Sequence, residues 1–367
     1  MLYWLLFPLQ SRISFFRVFR FITVRTALAG VTALVLSLFL GPWLIRMLKK
    51  YQIGQEIRSD GPQSHYAKKG TPTMGGVLII GATLITTLLW GNLEDPYVCI
   101  AMAAMFFFGL IGFLDDYLKV RKKRSLGLRV FTKLGLQVLL ACALGGVLIY
   151  LGLHNFGPIK KFDLRLFPPF FKSWTPYLGW LYLPWIAFIL VGSSNAVNLA
   201  DGLDGLAIGL TLITATALTA LTYVSGHALW SQYLDLAHVR LAAELTVFGG
   251  ALTGACLGFL WWNAHPAQVI MGDVGALALG GTLGIIAILI KQELLLFALA
   301  GVFIVEAASV LLQVSYFKLS GGKRIFKMAP LHHHFELSGW PEEKIVIRFW
   351  IIGIIFALFS LSTLKLR

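Results

Sequence analysis

Five aspartates occupy positions from which they could do chemistry. Asp115 and Asp116 are adjacent at the end of one apolar stretch, Asp201 and Asp204 open another, and Asp273 stands between glycines in Met271-Gly272-Asp273-Val274-Gly275. The chain has only 17 acidic residues, so their placement carries information. Carboxylates near bilayer depth are costly and usually functional. A single Asp at a helix start can also be an N-cap, and that reading suits Asp204 or Asp273 taken alone. It fails for Asp115 and Asp116, which sit at a C-terminal end, where the helix dipole disfavours anions. Two carboxylates there need a cation, either a metal ion or nearby lysines. Lys119 follows Asp115 by four positions, on the same face if the helix continues. Lys123 and Lys133 lie further along the same basic loop.

Three other motifs accompany them. Gly70-Thr71-Pro72-Thr73-Met74-Gly75-Gly76, preceded by Lys68 and Lys69, leads into an apolar block. Such a turn could offer backbone N–H groups to a phosphate at a helix N-terminus. Asn195-Ala196-Val197-Asn198-Leu199-Ala200-Asp201-Gly202-Leu203-Asp204-Gly205 is polar and glycine-rich between two apolar blocks. It reads as a broken helix lining a polar cavity rather than facing lipid. Pro330-Leu331-His332-His333-His334-Phe335-Glu336 invites a zinc reading. Zinc ligands are normally spaced, and adjacent side chains on a regular element cannot all point at one ion. Phosphate contact or proton handling fits the histidines better. Glu306 and Gln313, inside an apolar block, read as partners in a helix–helix hydrogen bond.

Hard carboxylate oxygens with lysines, and no soft ligands, favour Mg²⁺ or Mn²⁺. Such an ion commonly neutralises a pyrophosphate. Phosphoryl transfer needs mainly positioning and electrostatic stabilisation, which Lys and His can complete.

The elements that must hold these groups are membrane helices. Hydrophobic residues make up 57% of the chain and charged residues 13%, against about 25% charged in a soluble domain. Apolar blocks near the length of about 20 residues that a spanning helix needs fall at 26–46, 74–91, 97–114, 134–153, 179–197, 205–224, 241–262, 274–290, 294–317 and 345–364. The fold expected is all-α and polytopic, with about ten transmembrane helices in a single integral membrane catalytic domain, 1–367. Residues 1–25 form an N-terminal peripheral segment and 318–344 a His-containing loop.

The net charge is +14. It sits in short loops between apolar blocks, which argues against nucleic-acid binding. Lys and Arg gather in loops 46–70, 115–133 and 318–344, so these are cytoplasmic by the positive-inside rule. Both termini then lie outside, and all five aspartates fall at the cytoplasmic membrane face. Arg12, Arg17, Arg20 and Arg25 dissent, as do Lys160, Lys161, Arg165 and Lys172. Cys99, Cys142 and Cys256 lie inside apolar blocks and read as small buried hydrophobes.

On KKGTPTMGG at 68–76, DDYLK at 115–119, NAVNLADGLDG at 195–205, MGDVGALALG at 271–280 and APLHHHFELSGW at 329–340, the chain resembles the polyprenyl-phosphate N-acetylhexosamine-1-phosphate transferase superfamily. The resemblance covers about residues 20–367, and the PLHHHFE run is similar to its muramoyl-pentapeptide branch. It implies transfer of phospho-MurNAc-pentapeptide from UDP-MurNAc-pentapeptide to undecaprenyl phosphate, giving lipid I and UMP. It further implies a Mg²⁺ requirement and a homodimer in the bacterial cytoplasmic (inner) membrane. By the same resemblance, Asp273 is the metal ligand and Asp115 the residue that deprotonates the lipid phosphate, with Asp116 beside it. Asn198, Asp201 and Asp204 line the site, and Lys68, Gly202, Leu203, Asp204 and Asn263 form a uridine pocket. His332, His333 and His334 fall where essential histidines lie. The candidate catalytic set is completed by Lys119, Lys123 and Lys133, and the substrate-binding set by Thr73, Ile270 and Gln313. Ile270 stands where an aromatic is common, and Ala276 where Ser is common.

Two other functions compete. A sibling that loads GlcNAc-1-phosphate would share the aspartates. An ion-coupled transporter would use broken helices and intramembrane acids, but here the acids cluster at one face and no repeat is visible. A phosphate monoester has its second pKa near about 6, so the lipid phosphate is largely a dianion and needs little help from a base.

Overall fold

The computed structural model describes residues 14–51, 70–122, 127–153, 162–169, 171 and 174–365, with Pro8 and Gln10. The described residues are almost entirely helical. A 3-10 turn at Ser14–Arg20 leads into α1 (Ile22–Lys50), followed by α2 (Gly76–Trp90), α3 (Pro96–Lys122), α4 (Val130–Leu153) and α5 (Tyr182–Ala200). Then come α6 (Leu206–Gly226), the short α7 (Ala228–Tyr233), α8 (Ala242–Asn263) and α9 (Gly272–Leu289). The chain closes with α10 (Glu293–Leu299), α11 (Gly301–Leu319), α12 (Leu331–Glu336) and α13 (Glu342–Ser362). Among the described residues nine helices are long and apolar enough to cross a membrane, and α2 is a shorter apolar one. This is the polytopic all-α architecture expected from the apolar blocks.

The centre of the bundle is α9. It is apolar on all sides, so it has no face to offer water or headgroups. Every residue from Val274 to Leu289 is buried, with α3, α5, α2 and α6 packed around it. At one side α1 and α8 pack closely along a stripe of small residues. A side-chain carbon added at Gly254 would lie 2.0 Å from the Gly30 carbonyl oxygen, and one at Gly250 would lie 2.6 Å from that of Thr26. With little hydrophobic drive between helices in lipid, such close backbone packing is a main source of association.

Several boundaries differ from those expected. The block at 294–317 divides at Ala300 into α10 and α11, and Gly301 leaves room there for the Phe356 ring. Residues 22–25 are not peripheral, because α1 begins at Ile22. Arg25 is buried and forms a bidentate pair with Glu244 of α8, at 2.8 and 2.6 Å. Its charge is neutralised inside the bundle, which explains one dissenting arginine in the loop-charge count. Asp115 and Asp116 do not end their helix, since α3 runs on to Lys122.

The helices alternate in direction, so two sets of ends form. One end gathers the N-termini of α2, α4, α6, α9 and α13 with the C-termini of α3, α5, α8 and α11. All five aspartates lie there.

Candidate active site

Three helix ends meet at the aspartates because glycine lets their backbones touch. A side-chain carbon added at Gly112 of α3 would lie 2.2 Å from the Asp273 carbonyl oxygen. One added at Gly76 of α2 would lie 2.2 Å from Gly275 of α9. Gly272, which starts α9 with φ +73°, has no room for a side chain beside the Asp116 carboxylate. The last turns of α3 are thereby pressed onto the first turn of α9.

Two lysines hold the carboxylates together. Lys119 Nζ lies 2.7 Å from Asp115 Oδ2, 3.2 Å from Asp116 Oδ1 and 3.0 Å from Asp273 Oδ2. Lys133, from the first turn of α4, lies 2.6 Å from Asp273 Oδ2 and 3.9 Å from Asp115 Oδ2. Backbone donors fix the acids further. Leu128 N–H donates to Asp115 Oδ1 at 2.8 Å, and Val274 N–H donates to Asp116 Oδ2 at 3.1 Å. Asp116 thus caps α9 from another helix, while Asp273 faces the lysines and is not an N-cap.

The donor set fits a hard divalent cation. Asp115, Asp116 and Asp273 each offer an oxygen, all within 4.8 Å of one another. The Lys119 ammonium already stands among them, so a cation is favourable at that point. Half-buried Asp201 is electrostatically coupled to the group. Burial, then Asp273 and Asp116, push its carboxyl up to about 8, against a lowering contact from the Gly272 N–H. When ionised, Asp115, Asp116 and Asp273 against two ammoniums leave one negative charge, which favours a further cation.

Asp201 and Asp204 belong to the turn between α5 and α6, which is shorter than the broken helix expected. Asn195 and Asn198 are still helical in α5. Gly205 closes the turn with φ +78° and donates to Asn263 Oδ1 at 3.1 Å. Asn263 in turn donates to the Val269 carbonyl at 2.9 Å. Asp204 Oδ2 accepts from Ala267 N–H at 3.0 Å and lies 3.2 Å from His265 Nδ1. The Asp204 N–H donates to Glu342 Oε1 at 2.6 Å. Asn263 and Asp204 therefore brace this turn against the 264–270 loop and the start of α13.

The histidines take different partners, although the His332 and His333 rings stand 4.2 Å apart, centroid to centroid. His332 is fully buried, with Nδ1 3.2 Å from Glu306 Oε2. His333 Nδ1 lies 2.8 Å from Glu336. His334 Nδ1 accepts from Lys327 N–H at 3.1 Å.

A sequence profile of Glycosyl transferase family 4 matches residues 98–291. Phospho-N-acetylmuramoyl-pentapeptide-transferase signature 1 matches residues 68–80. Curated proteins named phospho-N-acetylmuramoyl-pentapeptide-transferase from Koribacter versatilis, Desulfatibacillum aliphaticivorans and Thermodesulfovibrio yellowstonii are 54%, 56% and 52% identical to the chain, each over 100% of both sequences. The chain belongs to the phospho-N-acetylmuramoyl-pentapeptide-transferase family. The family 4 profile spans all five aspartates and ends before the His run. The family signature covers the glycine turn and the start of α2.

Within this family member, Gly75 and Gly76 of the glycine turn do not offer free N–H groups to a phosphate. Gly75 and Gly76 N–H donate to the Ile270 and Met271 carbonyls at 2.9 Å each, and Val77 and Leu78 bond back into the turn. Its glycines serve the close approach to α9. Thr73 is buried beside Gly272. Ile270 is half-buried, and its backbone pairs with Pro72 and Gly75. Leu203 is buried, and Gly202 backs onto the His332 ring. Gln313 does not partner Glu306. Its amide accepts from Ile325 and Phe326 N–H and donates to the Phe326 carbonyl, so it shapes the loop after α11. Lys68 and Lys123 lie outside the described residues.

Sequence reading missed His265 and Glu342, which contact Asp204, and Glu343, which lies 3.2 Å from the other ring nitrogen of His265. The available signal was His265 two positions after Asn263.

Proposed function

We propose that the chain transfers phospho-MurNAc-pentapeptide from UDP-MurNAc-pentapeptide to undecaprenyl phosphate, leaving lipid I and releasing UMP. The observation that carries this reading is the junction of Asp115, Asp116 and Asp273 around Lys119 and Lys133 at one end of a membrane bundle. A soluble donor can reach such a site from water while a lipid acceptor reaches it from the bilayer. The relatives' names point to the same reaction.

A lipid phosphate oxygen attacks the β-phosphorus of the UDP conjugate. The bond from that phosphorus to the bridging oxygen breaks, and UMP departs with the electron pair. Asp273, with Asp115 and Asp116, would hold one Mg²⁺, which supplies charge to offset that of the diphosphate. Lys119 and Lys133 place two ammoniums at the same point, so the charge developing on the leaving oxygens meets preorganised cations. The acceptor is already largely a dianion at neutral pH. Direct attack therefore suffices, and Asp115 acts by holding cation and lysine rather than as an obligatory base. Asn198, Asp201, Gly202, Leu203, Asp204, Asn263 and Ile270 form the face toward the uridine and sugar. The basic loops put this end on the cytoplasmic side, with both termini outside and the whole chain acting as one catalytic domain, paired as a homodimer.

The deciding experiment is UMP release by purified protein in detergent, beside Asp273→Asn. Release should need UDP-MurNAc-pentapeptide, undecaprenyl phosphate and Mg²⁺ together and vanish in the variant. Release with UDP-GlcNAc alone would move the chain to the sibling activity. Full activity in the variant would overturn the metal assignment. Trapping a phosphosugar on any aspartate in a single turnover would overturn direct attack.

A further inference from the structure

One buried carboxylate takes no part in the chemistry described so far. Glu306 lies in the interior of α11 and has no solvent exposure. Its Oε1 accepts from the His332 backbone N–H at 3.2 Å. Its Oε2 stands 3.2 Å from His332 Nδ1, in ion-pair range though out of line for a hydrogen bond, and the His332 side chain is equally buried. A carboxylate at that depth is costly without a partner that shares its charge or proton. His332 is that partner.

The other ring nitrogen points elsewhere. Like Nδ1, His332 Nε2 makes no hydrogen bond, and it has no charged group beside it. It faces Gly202, where an added side-chain carbon would lie 2.2 Å from it. Gly202 sits between Asp201 and Asp204, so the bare edge of the imidazole rests on the backbone of the aspartate turn. A buried polar atom left unpaired is unfavourable by about 1–3 kcal/mol, and such orphans call for an explanation. A carboxylate 3.2 Å from one imidazole nitrogen favours the proton on that nitrogen by its charge.

We infer that Glu306 is a positioning residue for the transfer. It holds His332 with Nδ1 protonated and directs Nε2 at the Asp201–Gly205 turn, where Nε2 meets a polar group of the bound donor. The inference rests on the proposed assignment of that turn to the donor. Mere pinning of α12 to α11 would use the same contacts, and it is distinguishable.

The test is ¹⁵N-histidine NMR of the full chain in nanodiscs, with His332 assigned through His332→Gln, alongside steady-state kinetics. The wild type should show His332 protonated at Nδ1, and UDP-MurNAc-pentapeptide should shift its Nε2 resonance. In Glu306→Gln the tautomer should change, and kcat should fall about 10- to 100-fold, as for other groups that orient a reacting residue, while KM for undecaprenyl phosphate stays within about twofold. Glu306→Asp should recover part of the loss. An unchanged tautomer in Glu306→Gln, or unchanged kcat, would reduce the pair to packing and overturn the inference. If Glu306→Gln does not fold, the wild-type spectrum decides: a His332 protonated at Nε2, or indifferent to the donor, overturns it. A wild type that released no UMP would refute the proposed function and leave the tautomer result readable by itself.

Discussion

Lys133 Nζ lies 2.6 Å from Asp273 Oδ2, across 140 positions of sequence. It is one of two ammoniums at the aspartate junction, and it arrives from a different helix than Lys119. Replacing it by Met keeps much of the stem and removes the charge. Loss of one preorganised donor to developing charge costs about 10²–10³ in kcat. Lys133→Met should fall in that range while the protein melts close to the wild-type temperature. Activity above a tenth of wild type would remove Lys133 from the reaction.

Chelation should abolish UMP release, and Mg²⁺ or Mn²⁺ should restore it, because all the ligands offered are hard oxygens. Activity that persists after exhaustive chelation would show that the two lysines suffice.

Arg25 and Glu244 join α1 to α8 well inside the bundle, with side chains 2% and 18% exposed. Arg25→Ala leaves a largely buried carboxylate without its cation. Breaking such a pair typically costs about 3–5 kcal/mol, so the melting temperature in detergent should drop clearly. The double change Arg25→Met with Glu244→Leu should recover most of the loss. If the single variant melts like wild type, the pair is not a stabilising feature.

Gly112→Ala would place a carbon 2.2 Å from the Asp273 carbonyl oxygen. Overpacking of this kind costs about 1–3 kcal/mol. It should also push the first turn of α9 away from Lys119, lowering kcat more than stability. Equal loss in a binding-only assay with UMP would instead indicate general collapse of the site.

Asp95, between α2 and α3, has its carboxyl pushed up to about 6, chiefly by burial. A folded-state value above the unfolded value of 3.8 means that the fold prefers the neutral acid. The contribution of Asp95 to stability should therefore be greatest below about pH 4 and decline as pH rises to about 6, with no further change beyond. Asp95→Asn keeps an acceptor for the Tyr97 N–H and should flatten that slope in thermal melts at pH 4–7. An identical slope in the variant would place the titration elsewhere.

The sequence made the helices and the aspartates legible for different reasons. Hydrophobic runs report burial in lipid directly, so nine of the ten blocks each found one helix, and the block at 294–317 found two. The scarcity of acids made five aspartates conspicuous. Lys119 could be placed because α-helical spacing links it to Asp115. Lys133 entered the candidate catalytic set without a local pattern to support it, since none says which helix it will reach. The glycine turn misled for a related reason. The N–H groups of Gly75 and Gly76 looked free until Ile270 and Met271, some 195 positions away, supplied the acceptors. The break at Ala300 carries no proline and was hidden by its apolar flanks. The stripe Gly250, Gly254 and Gly258 did carry a readable spacing of four, and it marks the α1 contact.

The burial of α9 separates the chemistry from the mechanics of the bilayer. Asp273 rides on a helix whose residues from Val274 to Leu289 meet protein alone. Changes in lateral pressure, acyl-chain length or lipid order act first on lipid-exposed surfaces such as Val31, Phe39, Leu139 and Ile355. They reach the carboxylate only as rigid shifts passed through packed neighbours. Membrane composition should then govern how fast the lipid acceptor arrives far more than how fast it reacts.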